Sequence, residues 1–145
     1  MLKWTLSLLL LLAFSGCGPK SNTGVEQGIA PKSNLSYEDG LTQARTMAIL
    51  LGGKYSTIAP TGSMEPILDS SSIPIFVNSD GSDIKEGMVV TYTRDDNKSI
   101  LHTVLKVTDT HFIAAGNNNL RNDGRIERSR VDKILVGVIY TSGRP

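Results

Sequence analysis

One serine lies next to a glycine in a segment whose residue types suit nucleophilic chemistry. Residues 61–68 read Thr-Gly-Ser-Met-Glu-Pro-Ile-Leu, with the serine at position 63. A nucleophilic serine needs an exposed Oγ and nearby backbone N–H groups that can hold an oxyanion, and a Gly-Ser step in a turn can supply both. Such steps are also common in loops without chemistry, so Gly62-Ser63 alone favours an ordinary loop.

A serine nucleophile needs a base, and the chain contains two histidines, His102 and His111. His102 lies in a predicted strand, residues 100–107, both faces of which are partly apolar. Taken alone, this pattern is typical of a half-buried strand histidine. His111 begins another short apolar stretch, and we expect it to be a surface or edge histidine.

The complete string Ser-Met-Glu-Pro-Ile-Leu, residues 63–68, resembles the nucleophile box of type I signal peptidases. This group of serine peptidases also includes the LexA-like self-cleaving proteins. Four later segments also resemble segments of this family and follow in the same order. They are a glycine-led strand at 84–92, the base position at 101–104, an acidic turn at 116–123 and a closing strand at 136–138. The resemblance covers roughly residues 58–140.

The resemblance implies that His102 is the general base. Most bacterial members of the family place a lysine at this position, whereas archaeal, endoplasmic-reticulum and some Gram-positive members place a histidine. The match is therefore to the histidine branch. An imidazole has an ordinary pKa of about 6.5 and is mostly neutral at pH 7, whereas a lysine base needs its pKa lowered by several units.

In the family an acidic residue orients the histidine. Asp123 lies seven residues after Gly116, which matches one acidic position of the histidine branch. The other acidic position is Asn117 here, and its amide cannot stabilise an imidazolium by charge. We expect Asp123 to be the orienting acid. The alternatives are Asp132 as the acid, or an ordinary Asp-Gly turn at Asp123.

By the same resemblance, the hydroxyl of Thr61 assists the backbone N–H of Ser63 in binding the oxyanion. An ordinary turn threonine is the alternative. The implied activity is a serine endopeptidase that cleaves extended peptide segments of exported proteins, bound along a strand edge with small residues before the cut. Its partner would be a peptide or preprotein substrate, and no metal or organic cofactor is implied.

Short strands must position these residues. Residues 54–145 contain stretches rich in Val, Ile, Thr and Tyr, separated by turn-forming clusters, which predicts a compact, mainly β barrel or sandwich. The predicted strands are Tyr55–Ala59, Ile73–Val77, Met88–Thr93, Ile100–Val107, His111–Ala115 and Ile134–Tyr140. The resemblance specifies a LexA/signal-peptidase-like form of this fold.

One N-terminal helix is predicted in residues 36–53, from Tyr37 to Leu51. Ser36 is its predicted N-cap, with Asp39 three residues later as in a capping box. The glycine pair 52–53 is predicted to end it.

Residues 1–16 have the form of a secretory signal peptide, with a basic start, an apolar run and small residues at the end. The sequence Phe-Ser-Gly-Cys, residues 14–17, resembles a bacterial lipobox, which implies cleavage before Cys17 and acylation of that cysteine. The alternative is an ordinary secretory signal with an incidental cysteine. Residues 17–35 are then predicted to be a lipidated cysteine and a flexible tether.

A lipid anchor would replace the transmembrane helix that members of the family usually carry. It would hold the domain on a bacterial membrane, facing the periplasm or the exterior. In a Gram-negative host, Gly18 does not provide the common aspartate retention signal, so both the inner and the outer membrane stay open as destinations.

Composition excludes several other classes. The chain has 145 residues with 15 Lys+Arg and 14 Asp+Glu, and removal of the signal peptide with Lys3 leaves it formally neutral. That balance weighs against a strong binder of nucleic acid. One cysteine cannot form an internal disulfide, and one cysteine with two histidines nearly excludes a structural zinc site.

Two alternatives to a signal-peptidase-like enzyme stay open. A LexA-like self-cleaving peptidase needs a lysine-type base and an internal scissile bond, and His102 and the export signal weigh against it. A non-catalytic lipoprotein that retains the fold is favoured by Asn117.

Overall fold

The computed structural model describes residues 30–145. The predicted signal peptide and Cys17 lie outside the described residues. One α-helix precedes seven strands, and the bounds are α1 Tyr37–Leu50, β1 Lys54–Tyr55, β2 Ser72–Asn78, β3 Val89–Thr93, β4 Ser99–Val107, β5 His111–Ala115, β6 Arg125–Glu127 and β7 Val131–Tyr140. The expectation of a mainly β protein with one helix is confirmed.

All strands join one antiparallel sheet in the order β1-β2-β7-β3-β4-β5-β6. β7 pairs with both β2 and β3, so the longest strand lies inside the sheet. The predicted strand Tyr55–Ala59 is wrong beyond its first residue, because β1 ends at Tyr55 and residues 56–60 have no strand structure. β6 was not predicted, and β7 begins at Val131, three residues earlier than expected.

Helix α1 begins where the sequence predicted. Ser36 is extended, with φ −62° and ψ 155°, and its Oγ accepts a hydrogen bond from the Asp39 backbone N–H at 3.1 Å. This satisfies one of the free N–H groups of the first turn. The buried face of the helix packs against Ile73 and Ile75 of β2. Gly40 permits this close approach, since a Cβ there would lie 3.1 Å from Ile73 Cδ1 and 2.6 Å from Thr141 Cγ2.

Three apolar clusters form the core. One lies under α1, a second contains Val90, Tyr92 and Phe112, and a third holds the segment that contains Ser63 through the buried Met64 and Leu68. No helix among residues 30–145 is long and apolar enough to cross a membrane.

Candidate active site

Ser63 lies in a tight turn between β1 and β2. The turn is closed by hydrogen bonds from Glu65 N to Gly62 O at 3.2 Å and from Leu68 N to Met64 O at 3.0 Å. Gly62 has φ +71°, a conformation that glycine adopts without strain. Met64 and Leu68 are buried, so the turn is fixed to the core while Ser63 stays partly exposed.

The Ser63 hydroxyl faces the hydroxyl of Thr61, with 3.4 Å between Oγ and Oγ1. The structure thus places the Thr61 hydroxyl beside the Ser63 hydroxyl, and the expected role of Thr61 in binding an oxyanion stays a prediction. In this arrangement the Thr61 hydroxyl is oriented toward the Ser63 side-chain oxygen.

The loop that follows β5 holds the backbone of the Ser63 turn. Asn118 N donates to Ser63 O at 3.0 Å, and Asn118 Nδ2 donates to Gly62 O at 3.2 Å. Gly116 approaches so closely that a Cβ on it would lie 2.5 Å from Ser63 O and 2.8 Å from Asn119 Nδ2. A side chain at position 116 would therefore push the two loops apart.

His102 lies in β4, opposite Val90 of β3, and is 7% exposed. Its Nδ1 is 2.6 Å from Asp123 Oδ2, and its Nε2 is 3.5 Å from Asn119 Nδ2. A carboxylate on Nδ1 favours the neutral tautomer with the proton on that nitrogen. The lone pair of Nε2 is then available to accept a proton, as a general base requires.

Asp123 lies in the irregular segment between β5 and β6. Its backbone N–H donates to Ala114 O at 2.9 Å, and its side chain is 21% exposed. Oδ2 accepts a second hydrogen bond, from the hydroxyl of the buried Tyr92 at 2.7 Å. Burial, and next the hydrogen bond to Asp123, raise the pKa of Tyr92 far above its ordinary value, so the phenol stays protonated and continues to donate.

Ser63 and His102 line the same cavity, which has a volume of about 420 Å³. Residues 56–60 also line it, together with Thr61 and parts of β3 and β4. The cavity is large enough for a few residues of an extended peptide.

The Ser63 turn and His102 approach this cavity from opposite faces of the sheet. By strand alternation, His102 shares a face with Val90, whereas Met64 packs against Val89 on the other face. The 116–119 loop touches both groups. Within residues 30–145 the hydrogen bonds of Ser63 Oγ and His102 Nε2 go to Thr61 and Asn119, and none joins the two directly.

The structure brings Asp123 to His102, but it does not bring the other acid candidates there. Asn117 Oδ1 accepts from Thr103 Oγ1 at 2.7 Å, and Asp132 Oδ2 accepts from Thr93 Oγ1 at 3.1 Å. His111 is half-buried at the start of β5, where Nδ1 lies 2.8 Å from Thr108 Oγ1.

Sequence reasoning missed Tyr92 and the role of Asn119 as a contact of the histidine. A signal for Tyr92 was present, because a tyrosine on the inward face of a strand needs a partner for its hydroxyl. Asn119 carried no such signal, since asparagine is common in turns. In the part of the chain that the structure describes, no group of three or more His, Cys, Asp and Glu side chains could hold a metal ion.

No protein-family model matches this sequence, and a search of curated proteins returned no matching relative.

Proposed function

We propose that this protein is a membrane-anchored serine endopeptidase of the signal peptidase type, in which Ser63 is the nucleophile, His102 the general base and Asp123 the orienting acid. The observation that carries the proposal is the contact of 2.6 Å between His102 Nδ1 and Asp123 Oδ2, in a histidine that lines one cavity with Ser63. This contact supports the proposal because a carboxylate on Nδ1 is how the base of a serine hydrolase is oriented.

The proposal includes the fold. The mainly β architecture is compatible with the LexA/signal-peptidase-like form that the resemblance implies. The proposed fold is supported by the order of three segments along the chain. The family order is followed by the Ser63 turn, then the strand of His102, then the turn of Asp123, and all three meet around one loop.

In the proposed reaction, Ser63 Oγ forms a bond to the peptide carbonyl carbon as its proton passes to His102 Nε2. The imidazolium then gives that proton to the leaving amine, the C–N bond breaks, and an acyl-enzyme remains. Water attacks the ester with His102 again taking the proton, which restores the Ser63 hydroxyl and releases the acid. The Ser63 backbone N–H and the Thr61 hydroxyl would bind the oxyanion.

One rearrangement must precede this reaction. Because the Ser63 turn packs on the face of the sheet opposite His102, this turn has to shift as Ser63 Oγ leaves Thr61, and Asn119 has to yield the Nε2 lone pair. The two hydrogen bonds of 3.4 and 3.5 Å are long and therefore weak, so they oppose this movement little, and the main cost is the shift of the turn itself. Catalytic hydrogen bonds often tighten only when substrate is bound.

The proposed substrate is an extended segment of an exported protein, bound beside residues 56–60. This stretch is mostly exposed, and it continues from the edge strand β1 into the cavity. A peptide can add to such an edge through main-chain hydrogen bonds. The Cys17 anchor would keep the domain at the membrane, where such substrates are exported.

The experiment compares wild type, Ser63→Ala and His102→Ala on a purified preprotein, with His111→Ala as the matched control. We expect both site variants to lose processing by at least about a hundredfold while circular dichroism shows the same fold, and His111→Ala to process normally. Folded Ser63→Ala and His102→Ala variants that process like wild type would remove the proposal.

The second candidate is a non-catalytic lipoprotein that keeps the fold. The absence of a direct Ser63–His102 hydrogen bond in the described residues and the amide of Asn117 favour it. It predicts that wild type itself leaves the preprotein intact. Cleavage of the chain itself, with the preprotein untouched, would instead favour the LexA-like self-cleaving alternative.

A further inference from the structure

The Asp123 carboxylate is held by two donors on one oxygen. Oδ2 lies 2.6 Å from His102 Nδ1 and 2.7 Å from the Tyr92 hydroxyl. Asp123 itself belongs to an irregular segment and its side chain is 21% exposed. Its backbone bond to Ala114 O does not fix the carboxylate. The position of Oδ2 therefore depends on the groups that donate to it.

Tyr92 is a core residue of an inner strand. It lies in β3, between β4 and β7, and is 1% exposed. Its ring meets that of Phe112 edge to face, with 5.5 Å between centroids and 84° between planes. Packing of this kind leaves the ring one orientation and so fixes where the hydroxyl points.

Strand register places Tyr92 and His102 on the same face of the sheet. His102 is opposite Val90 and Tyr92 is opposite Ile100, so the two side chains are diagonal neighbours across β3 and β4. The two donors, the Tyr92 hydroxyl and His102 Nδ1–H, therefore lie on one face of the sheet. Asp123, in the segment after β5, accepts hydrogen bonds from both.

Resting on the function proposed above, we infer that Tyr92 is a positioning residue that fixes the Asp123 carboxylate, and through it the ring orientation and tautomer of His102. Tyr92 does not line the cavity and touches no reacting atom. Its hydroxyl limits the movement of Oδ2, so that the His102 ring keeps the orientation in which Nε2 lies beside Asn119.

The variant Tyr92→Phe removes the hydroxyl and keeps the ring that packs on Phe112. We expect kcat on the preprotein to fall about tenfold with KM within about twofold, because a bond to a charged acceptor is lost but no substrate contact is. The matched control is Tyr37→Phe, since the buried Tyr37 hydroxyl has no partner among residues 30–145. That control should leave kcat unchanged.

The deciding measurement does not require activity. In proton NMR of the full chain, the Nδ1–H of His102 should give a downfield resonance, assigned by its loss in His102→Ala. In Tyr92→Phe we expect it to shift and to exchange faster with water, whereas Tyr37→Phe leaves it in place. Difluorotyrosine at position 92 is a stronger hydrogen-bond donor of nearly the same shape, and it should shift the His102 Nδ1–H resonance in the opposite direction. This second variant keeps the test possible if Tyr92→Phe does not fold.

An Nδ1–H resonance with unchanged position and exchange in both Tyr92 variants would overturn the positioning role. The two proposals are separated if the protein shows the expected shifts but does not cleave the preprotein. In that case the positioning role of Tyr92 is supported, and the proposed peptidase function is wrong.

Discussion

His102 Nδ1 and Asp123 Oδ2 are 2.6 Å apart, although 21 residues separate them along the chain. The antiparallel turn from β4 into β5 carries the chain back beside His102, and the segment after β5 then crosses over it. The pair is nearly shielded from water on the histidine side, where the side chain is 8% exposed. A charge-assisted hydrogen bond in such a place is stronger than one at the surface.

The first prediction concerns the charge of that carboxylate. Asp123→Asn keeps an oxygen that can accept from both donors, but it no longer stabilises an imidazolium by charge. We expect kcat on the preprotein to fall by about two to four orders of magnitude with little change in KM. Steady-state kinetics on variants of confirmed fold will measure this.

Its matched control is Asp132→Asn, the other acid that the sequence offered. Asp132 bonds Thr93 and does not touch His102, so activity should stay within about twofold of wild type. If Asp132→Asn removes activity and Asp123→Asn does not, the assignment of the acid is wrong.

The second prediction concerns the close approach of Gly116 to Ser63. Gly116→Ala puts a methyl group 2.5 Å from Ser63 O, and backbone on both sides must move. We expect the free energy of unfolding to fall by about 1–3 kcal/mol. If Ser63 is the nucleophile as proposed, displacement of its turn should also lower kcat at least about tenfold. Urea unfolding and steady-state kinetics measure the two effects.

Gly137→Ala is the control for Gly116→Ala. Gly137 lies in β7, and a Cβ there meets only Ile75, at 3.6 Å from Cδ1 and 3.9 Å from Cβ, which are ordinary contacts. Gly137→Ala should therefore keep the activity of wild type. Equal behaviour of the two alanine variants would show that the steric contact at Ser63 is unimportant.

Local signals predicted some of the fold and little of the site. The cap of α1 was predictable because Ser36 and Asp39 are three residues apart and act on each other directly. Strand β6 was missed because only three residues pair, and Ile126 alone of them is buried. The bond between Tyr92 and Asp123 spans 31 residues and depends on sheet order, which periodicity does not contain.

The third prediction concerns the anchor, which lies outside the described residues. If the lipobox resemblance holds, cells that express wild type will incorporate labelled palmitate into the protein, and Cys17→Ser will not. The label should accompany a shift of wild type into the membrane fraction. Equal labelling of the two proteins would contradict lipidation at Cys17 without bearing on the peptidase proposal.

The fourth prediction concerns stability at low pH and the Asp69 carboxylate. Burial acts to raise the pKa of Asp69, but hydrogen bonds from Ser71, Lys32 and Ser72 together outweigh it and hold the pKa below its ordinary value of 3.8. The distance from Lys32 Nζ to Oδ2 is 3.2 Å, so this carboxylate also connects the start of the described chain to the loop that precedes β2.

A pKa that is lower in the folded than in the unfolded state means that the unfolded state binds more protons. The contribution of Asp69 is therefore fully present above about pH 4 and is lost as the pH falls through the lower folded value. Urea unfolding between about pH 6 and pH 2 should show a smaller acid loss of stability in Asp69→Asn than in wild type. The exposed Asp109 provides the control Asp109→Asn, which should keep the wild-type slope, and an unchanged slope in Asp69→Asn would refute the linkage.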